Sequence, residues 1–310
     1  MTTLGAYPRM ELAPHEAGYP ERIYDLPEAS PRLYVMGSLE AFATPLLAII
    51  GARRPTPYGI AASELAARIA ASQGLGVVSG GAMGCDRAGG VEALARGAVH
   101  VIVLGCGADV VYPRSSARLI SDTLAAGGAV VSLDPWGTPP RRYAFPRRNR
   151  IIAALSHAVF IGEAGLPSGT FSTAEAALEL DREILAAPGS IFSPTSRGTN
   201  QLIADGACCI VDESSMEVAL SRIFGTLRSA GHASHDVPAE NEREARMLRA
   251  LTATPLTTDE VARLLGCDVV GAMTALGDLL IRGLVEQLPD GRYGASKTTL
   301  HAQTSFGHNG

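Results

Sequence analysis

No apolar run in this chain reaches the roughly 18 residues that a membrane-spanning helix needs, so no spanning segment is expected. The N-terminal stretch MTTLGAYPRMELAPHE lacks the charged-then-apolar pattern of a secretory signal. The five cysteines (Cys85, Cys106, Cys208, Cys209, Cys267) contain no C-x-x-C pair, and the adjacent Cys208 and Cys209 suit neither a zinc knuckle nor an ordinary disulfide. All five therefore read as reduced and mostly buried, as in a cytoplasmic protein. Aromatic residues make up only 5% of the sequence, with Trp136 the single tryptophan. Ala, Gly, Leu and Val supply most of the apolar mass in a chain that is 46% hydrophobic, which favours close-packed α/β layers over a β-sandwich.

Two nucleotide fingerprints are also missing. No G-x-x-x-x-G-K-[ST] loop occurs, and Gly105-Cys106-Gly107 is followed by Ala108 and Asp109 rather than by the rest of a G-x-G-x-x-G, which argues against a nicotinamide dehydrogenase. His100 and His157 sit at the starts of predicted strands and read as structural. His232 and His235 fall in a polar stretch without the Cys or Asp spacing of a metal site. No cofactor or metal is expected on these grounds.

What the chain does have is a local arginine cluster in a mildly acidic background. The net charge is −5, yet RRYAFPRRNR (Arg141 to Arg150) packs five arginines around a short aromatic segment. Clustered guanidinium groups repel one another and match phosphate geometry, so a polyanion is the natural partner. An aromatic ring among them gives a nucleobase a surface to stack on, worth roughly 1–3 kcal/mol per base. The plainer alternative is a solvated arginine-rich loop.

Periodicity places these residues. Residues 1–45 are proline-rich and irregular, with Tyr34 to Gly37 a possible strand. From Leu46 onward, apolar strands without polar alternation (LLAIIG, GVVSGG, HVIVLGCG, AVVSLDP, AVFIGEA, EILAAPG, CCIVD) are separated by helical segments. That pattern predicts a doubly wound, mostly parallel sheet covered on both faces, over residues 46–220. Ser63 is placed near the start of the first helix, and NRIIAALSH is read as a helix following the arginine loop. In such sheets ligands bind outside the carboxyl ends of the strands. GARRP, SGGAMG, GCGADVVYP, LDPWGTPPRR and GEAGLPSGT all fall on that rim.

Glycine-rich loops entering helices present amides to anions. GARRPTPYG supplies Arg53 and Arg54, SGGAMGCD supplies Ser79, Gly80 and Gly81, and SGT supplies Ser168, Gly169 and Thr170. Arg53 either meets phosphate or pairs with Glu64 or Asp86. Phe145 either stacks on a base or packs into the core. Arg147, Arg148 and Arg150 extend the positive rim, unless one of them buttresses the sheet, for which Arg150 is best placed. Asn149 has donors and acceptors for a base or a loop, and Ser168-Gly169-Thr170 can equally cap a helix.

After Leu220 the composition turns polar, and residues 221–240 read as a linker. EREARMLRAL, TTDEVARLLG capped by Thr257 or Thr258, and DVVGAMTALGDLLIRGL predict three helices. VEQLPDGRYGAS closes the unit as a hairpin about Pro289-Asp290-Gly291, giving a winged helix over 241–296. The third helix carries two aspartates and only Arg282, which suits protein contacts better than duplex readout. Residues 297–310 read as a disordered tail.

The ordered set GARRP, SGGAMGCD, YPRS, FPRRNRII, SGTFSTAEAALE, APGS and GTNQLIADGA resembles the DNA-processing protein A family, also called DprA or Smf. The most specific pieces are Phe145 to Ser156 and Gly198 to Ala207. The resemblance runs from about Tyr19 to Asp212, with a winged helix at about 241–295. It implies an extended Rossmann-like domain that binds single-stranded DNA, a homodimer, and delivery of strands to the RecA recombinase in natural transformation or recombination. It implies no catalytic residue. The family usually carries a basic residue where Met83 sits, a histidine where Gly90 sits, and different residues at Leu133 and Trp136. With about 45 residues before Leu46, the helical domain that often precedes the Rossmann part is expected to be absent. A catalytic alternative comes from LSHAVFIGEAGLPSGT, which also resembles the LOG nucleotide phosphoribohydrolases. There Gly169-Thr170 aligns with their GT, but Thr173 stands at the glutamate position, and Glu175 is turned about 200° around the helix.

Overall fold

Apolar runs buried on both sides become the inner strands of a sheet, and the helices between them cover its faces. The structure, a computed structural model, describes residues 6–225 and 241–303. In chain order the α/β part comprises β1 (Arg9–Leu12), β2 (Leu33–Gly37), β3 (Leu46–Ile50), α1 (Pro57–Ser72), β4 (Gly76–Ser79), α2 (Cys85–Ala95), β5 (His100–Leu104), α3 (Ala117–Ala125) and β6 (Ala129–Ser132). It continues with α4 (Ala144–Leu155), β7 (Ala158–Ile161), α5 (Phe171–Glu179), β8 (Glu183–Ala186), α6 (Arg197–Ala204), β9 (Cys208–Cys209) and α7 (Glu213–Phe224). The nine strands form one sheet in the order β1-β2-β6-β5-β4-β3-β7-β8-β9. Every pair from β6 to β9 is parallel, while β1 and β2 are antiparallel additions. From β3 the chain winds outward through β4, β5 and β6, then returns to place β7, β8 and β9 on the other side. The topological switch point therefore lies between β3 and β7, where a crevice opens at the strand ends.

The doubly wound reading holds, with four differences. The sheet begins at Arg9, not Leu46: β2 pairs with β6, and β1 pairs with β2. The preceding segment is further held by ion pairs of Arg182 with Asp25 and of Arg150 with Glu28. Second, α1 starts at Pro57, with proline at a first-turn position that needs no amide donor. Ser63 is inside the helix, buried, and donates back to the Gly59 carbonyl at 2.8 Å. Third, α4 starts at Ala144, so most of the arginine cluster is helix rather than loop. Fourth, α7 runs to Phe224, into what the composition suggested was linker, because Met216, Ala219 and Leu220 pack against α1 and β7 in the core. The rest of that linker, residues 226–240, with His232 and His235, lies outside the described residues.

The C-terminal unit comprises α8 (Glu242–Ala253), α9 (Thr258–Leu265), α10 (Val269–Ile281), and the hairpin β10 (Val285–Gln287) and β11 (Tyr293–Ala295). Thr257 and Glu260 form a reciprocal capping box at α9. Its core is Met247, Leu248, Leu251, Val261, Ala272, Leu276 and Leu279. The segment read as a disordered tail instead begins with α11 (Lys297–Gln303), whose Lys297 Nζ pairs with Glu64 Oε1 of α1 at 2.6 Å. Residues 304–310 lie outside the described residues.

Two histidines are held neutral by the fold. His100 is fully buried between Ser79 and Thr123, with Nδ1 at 2.7 Å from Thr123 Oγ1, and burial pushes its pKa down to about 3. His157 receives the Arg22 guanidinium on Nε2, and burial with Arg22 and Arg182 nearby lowers it to about 4. An ordinary histidine in the unfolded chain takes up its proton near pH 6.5, so stability from both groups is present above that value and is lost as pH falls toward 4 and 3. The urea unfolding midpoint is expected to drop between pH 7 and pH 5. His157→Gln, which keeps an acceptor for Arg22, should show a shallower drop; identical slopes would contradict the assignment.

Candidate nucleic-acid groove

The crevice at the switch point is a groove of about 690 Å³. Its walls are the loop after β3 (Gly51 to Arg54), the first turns of α4 (Phe145, Pro146, Arg148, Asn149), and the loop after β7 entering α5 (Gly165 to Thr170). Ala82, Asp86, Ser172, Thr173, Pro194 and Thr195 add to the lining. Of the residues singled out from sequence, Arg53, Arg54, Phe145, Arg148, Asn149, Ser168, Gly169 and Thr170 come together here. Ser79, Gly80, Gly81, Arg147 and Arg150 do not line it.

Arg53 and Arg54 are exposed and make no ion pair among the described residues; Glu64, one of the alternatives for Arg53, is bound to Lys297, while Asp86, the other, feels the Arg53 charge without pairing with it. The Arg53 guanidinium carbon lies 5.7 Å from the centre of the Phe145 ring. Phe145 is half-buried and faces the groove, with Arg148 at 5.9 Å on the ring and Tyr112 at 6.0 Å between ring centres. Gly105 makes room for it, since a Cβ there would stand 3.0 Å from the ring. That explains the incomplete G-x-G: Gly105 seats an aromatic ring rather than a pyrophosphate.

The buttressing arginine is Arg148, not the expected Arg150. Arg148 is 6% exposed, donates from Nη1 to the Val103 carbonyl of β5 at 3.0 Å, and lies beneath the loop after β4. A Cβ on Gly80 would fall 1.7 Å from Arg148 Nη1. Burial lowers the Arg148 pKa, while the neighbouring Asp86 opposes that shift. Arg148 Nε has no hydrogen-bond partner among the described residues. Arg150 instead bonds Glu28 and Glu179, tying the N-terminal segment to α5. Arg147 is exposed and lies 3.6 Å from Asp134.

The loop amides read as phosphate sites are partly taken by the protein's own carboxylates. Asp86, buried at the start of α2, accepts from the Gly80 amide at 2.9 Å, and the Gly81 amide bonds Ser79 Oγ at 3.2 Å. Burial raises the Asp86 pKa, with Arg148 and the loop amides pulling it back. Glu163, which sequence reasoning missed, does the same at α1: its carboxylate accepts from the Thr56 amide at 2.6 Å and the Thr56 hydroxyl at 3.0 Å. Gly59 leaves the space it fills, because a Cβ there would lie 2.5 Å from Glu163 Oε2. At these two loops the anion that the amides attract is a carboxylate of the protein itself. The loop before α5 is different. Ser168 and Thr170 share a hydroxyl bond at 2.9 Å, Ser168 Oγ accepts from the Thr170 amide, and Asn149 Nδ2 donates to Ser172 Oγ at 2.7 Å. Asn149 therefore braces the loop, while Gly169 stays exposed on the groove edge.

The profile of the DNA recombination-mediator protein A family matches residues 11–221, and that of the DprA winged-helix domain matches residues 232–291. The chain belongs to the DprA family. It is 34% identical over 278 residues to Protein Smf of Escherichia coli K12, covering 88% of this chain and 74% of that protein. It is 35% identical to the DNA processing protein DprA of Streptococcus pneumoniae over 61% of this chain and 66% of that one. The S. pneumoniae DprA structure superposes with a TM-score of 0.62, at 31% identity, over 69% of this chain and 74% of that chain. A structure concerned with the single-stranded DNA binding mode of Helicobacter pylori DNA processing protein A also gives 0.62, at 30% identity, over 70% of this chain and 97% of that one.

One DprA-family departure now has a physical reason. A Cβ on Gly90 would lie 2.6 Å from the His100 ring, so the space open at Gly90 in α2 is filled by an imidazole arriving from β5. Trp136 is a loop anchor: its ring stacks edge-on against Tyr34 and under Arg9, and its Nε1 donates to Glu11.

Arg148→Ala should cost about 3 kcal/mol of stability, because it vacates a buried site, loses the bond to Val103 and removes the stronger of the two cations acting on Asp86. Gly80→Ala should cost about 1–3 kcal/mol by overpacking against Arg148. Arg53→Ala should leave the thermal midpoint within a degree or two, as expected for an exposed side chain. Thermal unfolding of the three variants checks the ranking.

Proposed function

We propose that the switch-point groove binds single-stranded DNA without base specificity and without catalysis. The observation that carries this reading is the juxtaposition of Arg53 and Arg54, which make no ion pair among the described residues, with the half-buried ring of Phe145 in the same groove. Guanidinium groups hold phosphate, and a ring face accepts any base, so the combination is tolerant of sequence and selects unpaired strands. Arg148 adds a buried positive charge at the groove floor. The likeness to the H. pylori protein supports the same ligand.

A hydrolase needs a carboxylate facing the bond to be cleaved. Here Thr173 faces the groove, while Glu175 is exposed on the other side of α5. Asp86 also reaches the lining, but its carboxylate is occupied by loop amides. These placements favour binding over nucleotide hydrolysis.

On the family's role we infer a recombination mediator that protects incoming or recombining strands and passes them to RecA. It would work as a homodimer in the cytoplasm, in natural transformation where the host is competent. No single helix among the described residues is long and apolar enough to cross a membrane. The winged helix fits a protein-contact role: Arg282 is engaged by Glu244 at 2.9 Å, and Val270, Met273 and Ile281 are exposed on α10.

Titration of the full chain with oligothymidine by fluorescence anisotropy across a salt series tests the groove. Arg53→Ala with Arg54→Ala should weaken binding about tenfold or more and lower the magnitude of the log–log salt slope by about 1.4 for two lost phosphate contacts. Unchanged affinity and slope, or release of adenine from AMP by the wild-type chain above a no-protein control, would overturn the reading.

A further inference from the structure

The loop that carries Arg53 and Arg54 is fastened at both ends to one residue. The Glu163 carbonyl accepts from the Ala52 amide at 2.7 Å. The Glu163 carboxylate accepts from the Thr56 amide at 2.6 Å and from the Thr56 hydroxyl at 3.0 Å. The Thr195 side chain also bonds that carboxylate. Thr195 belongs to the groove lining, whereas Glu163 does not. Glu163 therefore sits behind the groove and joins the wall bearing Arg53 to the wall bearing Thr195.

A second, smaller cavity of about 60 Å³ lies on the other side of this clamp. Thr56, Glu163 and Thr195 line it from the α/β part, and Leu251, Pro255 and Ala295 line it from the winged-helix unit. Thr195 is thus shared by both cavities. Lys297, the chain's only lysine, fastens the two units by its ion pair with Glu64, a buried residue of α1. With the winged helix docked in this way, Glu163 is 2% exposed. Hydrogen bonds to a carboxylate are stronger where water is kept away. The helix α10 takes no part in this contact lining.

We propose that Glu163 is a positioning residue for Arg53 and Arg54, and that the docked winged helix covers it, so that docking and strand binding stabilise one another. The proposal rests on the single-strand reading of the groove and deepens it. Arginines on a loop already held at Ala52 and Thr56 lose less freedom when a phosphate arrives. Undocking lets water reach the carboxylate and loosens its hold on Thr56 and Thr195. Coupling between two sites is reciprocal, so a bound strand favours the docked arrangement by the same factor. Charge alone acts in the opposite direction. Glu163 and Glu64 are anions near a cationic groove, and their removal by itself would favour a polyanion.

Anisotropy titration of the full chain with dT12 separates position from charge. Glu163→Gln, Glu64→Gln and Lys297→Met should each weaken binding about threefold or more. The log–log salt slope should stay at the wild-type value, because the phosphate contacts remain. Glu64→Gln removes a negative charge and Lys297→Met a positive one, so a purely electrostatic effect would move these two in opposite directions. Lys297→Arg, which keeps the ion pair, should bind like wild type. Hydrogen exchange at the Thr56 amide should be faster in Lys297→Met than in wild type. Any result in which Glu64→Gln and Lys297→Met do not both weaken binding overturns the coupling and leaves the groove standing, as does unchanged Thr56 exchange. Should Glu163→Gln fail to fold, those two variants still decide. Failure of wild type to bind dT12 at low salt removes the groove reading as well.

Discussion

The rim is organised around one buried guanidinium. Arg148 projects from α4 under the loop after β4, bonds the end of β5 at Val103, faces Asp86 at the start of α2, and backs the ring of Phe145. An isolated buried cation is costly, so each surrounding group is constrained to compensate it. Gly80 must lack a side chain, Asp86 must be turned inward, and the α4 N-terminus must sit close enough to present Phe145 and Asn149 to the crevice. Arg148 is the stronger of the two cations acting on Asp86, and Arg53 and Arg54 remain exposed at the groove.

The loops are locked to one another by close backbone approach. Gly84, at φ +85°, lies where a Cβ would be 2.1 Å from the Ala52 carbonyl, and the Cys85 amide donates to that same oxygen. On the other wall the Gly198 amide donates to the Ala164 carbonyl at 2.7 Å. The glycine motifs thus weld neighbouring strand-end loops into a continuous border. Preorganisation of this kind lowers the entropic cost of ordering loops on a ligand.

Much of the architecture was legible because parallel inner strands such as Leu46–Ile50 carry no polar alternation and are buried at every position. The edge was harder. RMEL is mostly solvent-facing and LYVMG mostly buried, but both sit among prolines, and β2 is ordered by pairing with β6 nearly a hundred residues away. At the site, Arg53, Arg54 and Phe145, drawn from two separate loops, converge on one groove as expected. Which arginine is buried was not legible, because Arg147, Arg148 and Arg150 differ by their position around a helix whose start at Ala144 the sequence did not announce. Glu163 escaped notice for a related reason: GEAG looks like any strand-end loop until Gly59 of α1 is seen to leave it a socket. The tail helix α11 carries no strong pattern and is held by buried Thr299, which donates to the Leu284 carbonyl, and by Lys297 against Glu64.

The central claim is that an unpaired strand lies across Phe145 at the divide between β3 and β7. Photo-crosslinking of the full chain to an oligothymidine carrying 5-iodouracil, followed by peptide mapping, tests it most directly. The account predicts crosslinks on the peptide bearing Phe145, lost in Phe145→Leu. Crosslinks confined to the winged-helix unit, with none on the rim, would contradict it.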